Sequence, residues 1–321
     1  MNKTLYPNFE EYVKPIHQRV DLFITQVLSC FISTTADFKE LLSGISILSI
    51  KEKHKIETIY PNKNTQHKYF THYRNSLKDL DLPDTFLSAM LSIFKLSTED
   101  SDARSFHRDS VIDLKANNVA LFDLPVFLTT CNEFLLNLHQ DPYTLVIGLM
   151  GLTGRRPIEI LKTAQFKYHD PHHLLFSGQA KTKNSPHAQS SYVIPVLAEP
   201  TLIIEALKKV RSHFPLSHWH NNQVISIFSP RLIRKVRPLR SCLFPHEHIS
   251  LTCRSLRSLY VTTAYHLFNI ATKASFNAFA AKVLGHSHLD KNTANSYTFY
   301  AIAPSTAIPQ LKTMKLEEAY I

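Results

Sequence analysis

Only six glycines stand among the 321 residues of the chain. Glycine takes positive φ without steric cost, and sheet-rich chains rely on it for tight turns. So few glycines favour a chain built mainly from helices. Hydrophobic residues make up 44% of the sequence, enough for a sizeable core, and charged residues only 19%, which argues against wholesale disorder. The length suits one large domain or two ordinary ones.

Apolar residues recur at helical spacing through the first part. NFEEYVKPIHQRVDLFITQVLSCFI reads as helix with a break at Pro15, and DFKELLSGISIL, KYFTHYRNSLKDL and PDTFLSAMLSIF follow, with Asp84 placed to cap the last. STEDSDARSFHRDS, residues 97–110, is polar and has no apolar period, so it is read as a linker. Next come LPVFLTTCNEFLLNL and DPYTLVIGLMG, two helices, with Asp141 capping the second and Pro142 at its first position. The second is apolar but too short to span a bilayer. RRPIEILKTAQF reads as a short helix, and HHLLFSGQAK and SSYVIPVL as two strands joined by the turn TKNSPHAQ. TLIIEALKKVRSHF, SLTCRSLRSLYVTTAYHLF and FNAFAAKVLG are helical, and IPQLKTMKLEEAY is a last short helix. The expected fold is therefore α+β, mainly α with a small β-sheet, in two domains of residues 1–115 and 116–321.

The formal net charge is +10 and suits a polyanionic partner. About 15 Lys and Arg face about 16 Asp and Glu up to Thr130, so about 21 basic and 10 acidic residues remain beyond it. The excess lies almost wholly in the C-terminal part. Its densest run is PRLIRKVRPLR, where Arg231, Arg234, Lys235 and Arg237 suit phosphate tracking as well as they suit a solvated helix face. In the first part, Arg74 and Lys78 are placed to reach phosphates while Phe70 and Tyr73 pack.

The four cysteines are scattered, without CxxC pairs, and are read as reduced thiols in a cytoplasmic protein. The N-terminal residues hold no long apolar stretch, so no secretory signal is expected. Eighteen histidines form short clusters, such as His246 with His248, yet none has HExxH spacing or a cysteine partner set. No metal site and no cofactor are expected, because a zinc site needs three or four protein ligands.

Five features carry chemistry only in combination. LTGRRPIEIL places Arg156 at a helix start with Glu159 one turn on. Lys181 ends LLFSGQAK, and Lys183 follows it in the hairpin turn. CRSLRSLY carries Arg254 and Arg257 three residues apart, on one helix face. KVLG leads into His286, and Tyr297 and Tyr300 come after it. Taken singly, each is explained as well by a cap, a solvated side chain or ordinary packing. Of the paired arginines, Arg155 is expected to face outward or toward a nucleic-acid backbone.

In this order and spacing the five resemble the active site of the tyrosine recombinases. TGRRPIEIL resembles their first arginine box, CRSLR the second, and LGHS with a following tyrosine the third. Three details resemble the telomere resolvase (protelomerase) branch more closely: the proline after Arg156, the lysine hairpin FSGQAKTK, and Arg254 where most recombinases have histidine. The eleven-residue step from His286 to Tyr297 also resembles that branch; the nine-residue step common in integrases would select Asn295.

The resemblance implies a helical DNA-clamping domain before a recombinase-like catalytic domain, acting on double-stranded DNA in a bacterial cell, from a phage or plasmid. Tyr297 would be the covalent nucleophile. Arg156 and Arg257 would hold the non-bridging phosphate oxygens, with Arg254 as a third donor. Lys181 would protonate the leaving oxygen and His286 would bond the phosphate. It implies no metal, no ATP and no membrane, and a homodimer on a palindromic replicon-end site. Two other readings stay open: a site-specific integrase joining two duplexes, and a catalytically silent DNA-binding relative.

Overall fold

The computed structural model describes residues 16–33, 37–136, 141–180, 191–269, 274–285 and 297–304. Lys181, Lys183 and His286 therefore lie outside the described residues, as do Pro15, Asn295 and the tail helix expected at IPQLKTMKLEEAY. The chain divides into two compact units, residues 1–111 and 112–321.

In the first unit, α1 (Ile16–Ser33), α2 (Phe38–Ile59), α3 (Lys63–Lys78) and α4 (Asp84–Ile93) pack around one apolar core. Phe70, Tyr73 and Leu77 recur along one face of α3 and are fully buried, and the Tyr73 ring meets Phe23 edge-on and stacks on Phe94. Asn62 caps α3 by accepting from the amides of Asn64 and Thr65. Asp84 is the first helical residue of α4 rather than its cap, which falls at Pro83.

The stretch read as a linker is instead α5 (Thr98–Asn117). Its first turn carries Glu99 and Asp100 and its last turn Lys115, charges that complement the helix dipole. Lys63 pairs with Asp100 at 2.8 Å, and Arg104 donates to Asn64 at 2.6 Å. The helix is held by its charges, so it shows no apolar period.

The second unit is built around α7 (Pro142–Thr153), where every residue from Leu145 to Thr153 is buried. Asp141 caps it through the amide of Tyr143, as the sequence indicates. It is flanked by α6 (Leu124–Leu136), α8 (Pro200–His213), α9 (Asn221–Val236) and α11 (Cys253–Phe268). A short α10 (Arg240–Leu243) precedes α11, and α12 (Phe276–Leu284) follows it.

Two small sheets complete the unit. Strands β2 (Gln165–Asp170), β3 (His173–Ser177) and β4 (Tyr192–Pro195) form an antiparallel meander. Phe166, Leu174, Phe176, Tyr192 and Ile194 alternate along its buried face. The β3–β4 hairpin is the one legible in the sequence; β2, in the stretch QFKYHD, is not. β1 (Ala120–Phe122) pairs in parallel with β5 (Tyr300–Ile302), near the two ends of the unit's chain. Among the described residues no helix is long and apolar enough to cross a membrane.

Candidate active site

The site begins where α7 stops. Gly154 closes that helix at φ +66, and a Cβ on it would lie 2.2 Å from the Tyr260 ring. Only glycine satisfies both the backbone and the packing there. The chain then passes through Arg155 and Arg156 into a π-turn, Glu159–Thr163.

Glu159 organises the site. Its side chain is fully buried and accepts from the Arg156 amide at 2.8 Å and from Arg156 Nη1 at 2.6 Å. Its second oxygen lies 3.8 Å from Arg257 Nη1, and Ala180 donates its amide at 3.2 Å. Burial pushes this carboxyl up, but the charges of Arg257, Arg155 and Arg156 outweigh burial and bring it down to about 2. It is a fixed carboxylate that orients two guanidiniums.

Arg257 comes from the buried face of α11. It donates through Nη1 to the Gly154 carbonyl at 2.5 Å, through Nη2 to the Leu284 carbonyl at 3.1 Å, and through Nε to the Tyr297 hydroxyl at 3.3 Å. Burial weakens its hold on the proton, and its pKa falls below the usual arginine value. Tyr297 is itself 4% exposed. The structure thus gathers Arg156, Arg257 and Tyr297, from three distant segments, around Glu159 and Gly154.

Arg254, one turn earlier on α11, is exposed, so the two arginines of CRSLR differ in environment. Tyr300 has other partners: it sits in β5, its ring packs on Phe244, and its hydroxyl donates to Ser255 Oγ at 3.0 Å.

Arg155 corrects the expectation from the sequence. It is 0% exposed, lies over the Phe176 ring at 4.6 Å, and donates to the Thr153 carbonyl at 3.0 Å. Its neighbour Arg156 keeps its side chain 19% exposed, and the sequence of two adjacent arginines does not show which one is enclosed. Arg211, which the sequence did not single out, straddles the π-turn from α8. It donates to the carbonyls of Ile160 at 2.7 Å, Glu159 at 2.8 Å and Ala164 at 3.2 Å, and also to that of Lys162. A π-turn displaces carbonyls from the regular ladder, and the guanidinium supplies donors for them. Its burial lowers its pKa to about 10, still far above neutrality.

Of the basic residues expected to contact phosphate, Arg231, Arg234, Lys235 and Arg237 are exposed on or just after α9. Two of them also brace α7. Arg231 donates to the Tyr143 hydroxyl at 2.8 Å, and Lys235 pairs with Asp141 at 2.7 Å. In the first unit Lys78 is exposed, and the half-buried Arg74 bonds Thr71 Oγ1 at 3.2 Å.

A family model described as the telomere resolvase ResT/TelK catalytic domain matches residues 118–300. The chain belongs to the telomere resolvase family. The matched span holds Arg156, Lys181, Arg254, Arg257, His286 and Tyr297. Telomere resolvase ResT of Borreliella burgdorferi is 25% identical over 308 residues, 94% of this chain and 63% of that protein. The protelomerase of Yersinia phage PY54 is 23% identical over 224 residues, 63% of this chain and 36% of that one. The chain thus spans less than two thirds of the length of either relative.

Solved telomere resolvases share the fold. Protelomerase TelA covalently complexed with substrate DNA is 27% identical, with a TM-score of 0.74 over 90% of this chain and 89% of that chain. A TelA mutant complexed with DNA hairpin product is 26% identical, with a TM-score of 0.72 over the same shares.

Proposed function

We propose that this telomere resolvase family member cleaves and rejoins DNA through a 3′-phosphotyrosyl intermediate and leaves covalently closed hairpin ends. The observation that carries the reading is the cluster of the part-exposed Arg156 with the buried Arg257 and Tyr297, the tyrosine hydroxyl lying 3.3 Å from a guanidinium nitrogen. It suits in-line attack on a phosphodiester, where negative charge builds on the non-bridging oxygens.

Tyr297 is the nucleophile. It gives up its hydroxyl proton to solvent, its oxygen bonds to phosphorus as the bond to the 5′-oxygen breaks, and Lys181 gives the leaving 5′-oxygen a proton. Arg156 and Arg257 bind the non-bridging oxygens, with Arg254 and His286 as further donors. Arg156 is the more accessible of the two buried-site arginines, with its side chain 19% exposed, so substrate can reach it. In the second step the 5′-hydroxyl of the opposite strand attacks the phosphotyrosyl phosphorus, and the tyrosine oxygen leaves and recovers a proton. One phosphodiester is broken and one made, so bond energy is conserved without ATP. The step needs oriented donors rather than a resident cofactor.

Two protomers act together on a palindromic replicon-end site in a bacterial cytoplasm. The first unit clamps DNA, with Arg74 and Lys78 toward phosphates. In the second, Lys183, Arg231, Arg234, Lys235 and Arg237 follow the backbone. Support comes from the family membership and from TelA, whose solved complexes hold substrate DNA covalently and hairpin product.

The test is incubation with DNA carrying an inverted repeat from a replicon end, followed by denaturing gels. Snap-back hairpins and a covalent adduct are expected. An adduct with strand-exchanged products alone would replace this reading with an integrase, and no adduct at all would leave a DNA-binding relative.

A further inference from the structure

We infer that Tyr192, Arg155 and Gln179 form a buried positioning network that sets the catalytic segments against one another; this rests on the DNA-cleaving reading above. Tyr192 is the hub, on the buried face of β4. Its hydroxyl accepts from Arg155 Nη1 at 2.8 Å and donates to Gln179 Oε1 at 2.9 Å. Gln179 Nε2 donates to the Gly285 carbonyl at 2.6 Å, and Arg155 Nη2 donates to the Val283 carbonyl at 2.6 Å. The circuit closes through the last turn of α12.

The circuit joins distant parts of the chain, and Arg155, Gln179 and the Gly285 carbonyl it reaches each lie within two residues of one with a proposed role. Arg155 precedes Arg156, Gln179 stands two residues before Lys181, and Gly285 precedes His286. The network therefore ties the first arginine box, the described end of the lysine hairpin and the helix end before the histidine. Arg155, Gln179 and Tyr192 are all buried, where each hydrogen bond is strengthened and a lost partner costs more.

The steric fit gives independent support. Gly285 sits at φ +66, and a Cβ on it would lie 2.1 Å from Gln179 Oε1 and 2.4 Å from the Tyr192 hydroxyl. The side chains of the circuit thus fill the space beside this backbone, and the end of α12 cannot shift without disturbing them. These residues act through the backbone that carries Arg156, Lys181 and His286. Phosphoryl transfer is sensitive to such placement, because small errors in the position of a reacting group cost rate steeply.

The experiment uses Tyr192→Phe, which removes only the hydroxyl and keeps the ring against Phe176. At saturating DNA, single-turnover adduct formation should slow by about tenfold to a hundredfold, while the DNA concentration for half-saturation stays within about twofold. Gln179→Met should act in the same way and serves if the first variant folds poorly. The double variant should be no slower than the slower single one, because both break one circuit. A Tyr192→Phe rate within about twofold of the parent, or effects of the two variants that multiply, would overturn the inference.

Hydrogen exchange reads the network without DNA. Faster exchange at both Ala180 and Gly285 in Tyr192→Phe supports it, and unchanged exchange overturns it, whatever the activity. A parent chain that forms no adduct but shows this exchange pattern would remove the function reading and leave the network standing.

Discussion

Arg257 Nε lies 3.3 Å from the hydroxyl oxygen of Tyr297, whereas the hydroxyl of Tyr300 is bonded to Ser255. This separates the two tyrosines by chemistry as well as by spacing. Tyr297→Phe is expected to abolish the covalent DNA adduct on denaturing gels. Tyr300→Phe should retain it and lose about 1 kcal/mol of stability, the usual net worth of one hydrogen bond. An adduct that survives Tyr297→Phe would place the nucleophile elsewhere.

Glu159 makes acid stability predictable. Its carboxyl titrates near 2 in the folded chain against an ordinary value of 4.5. A lowered folded pKa gives stability that is complete above the unfolded value and lost as pH falls through the folded one. The window therefore runs from about pH 4.5 down to about pH 2, and the shift is worth about 3 kcal/mol. Denaturant titrations across that window should show Glu159→Gln losing less stability with acid than the parent. At neutral pH the variant should be less stable by about 3 kcal/mol, because Arg156 and Arg257 lose their counter-charge.

Arg211 stabilises the π-turn and is not expected to touch DNA. Arg211→Met leaves the carbonyls of Ile160 and Lys162 without this donor, at a cost of about 2–3 kcal/mol in urea unfolding. The salt dependence of DNA binding should be unchanged. A smaller salt slope in this variant would mean that Arg211 meets phosphate after all.

The two glycines Gly154 and Gly44 should respond oppositely to alanine. At Gly154 the positive φ and the Tyr260 ring both exclude a Cβ, and Gly154→Ala should unfold the second unit or cost about 3 kcal/mol or more. Gly44 lies inside α2, and a Cβ added there would meet nothing within 4 Å, so Gly44→Ala should stabilise by about 0.5–1 kcal/mol. Thermal melts of the two variants decide this.

The basic run along α9 divides by its partners. Arg234→Ala and Arg237→Ala should each weaken DNA binding across sequences and lower the slope of log affinity against log salt by about one. Lys235→Ala removes the ion pair with Asp141 as well, so a change in stability should accompany its binding loss. Equal slopes for parent and Arg234→Ala would remove that residue from the phosphate path.

Most helices were legible in the sequence because their apolar residues face one core at a fixed period. Phe70, Tyr73 and Leu77 on α3 show that period, and Asp141-Pro142 marks a start through local hydrogen bonding alone. The order of Arg156, Arg257 and Tyr297 was legible too, as a pattern of residue types and intervals. Helix α5 was not, because ion pairs such as Lys63–Asp100 hold it and charges leave no apolar period. Strand β2 was missed because QFKYHD offers one buried side chain, Phe166, and pairs only once β3 is in place. The direction of Arg155, the π-turn bonds of Arg211 and the circuit through Tyr192 were decided by tertiary structure alone. Each depends on a carbonyl or hydroxyl brought from far along the chain, and a buried guanidinium turns to wherever those acceptors lie.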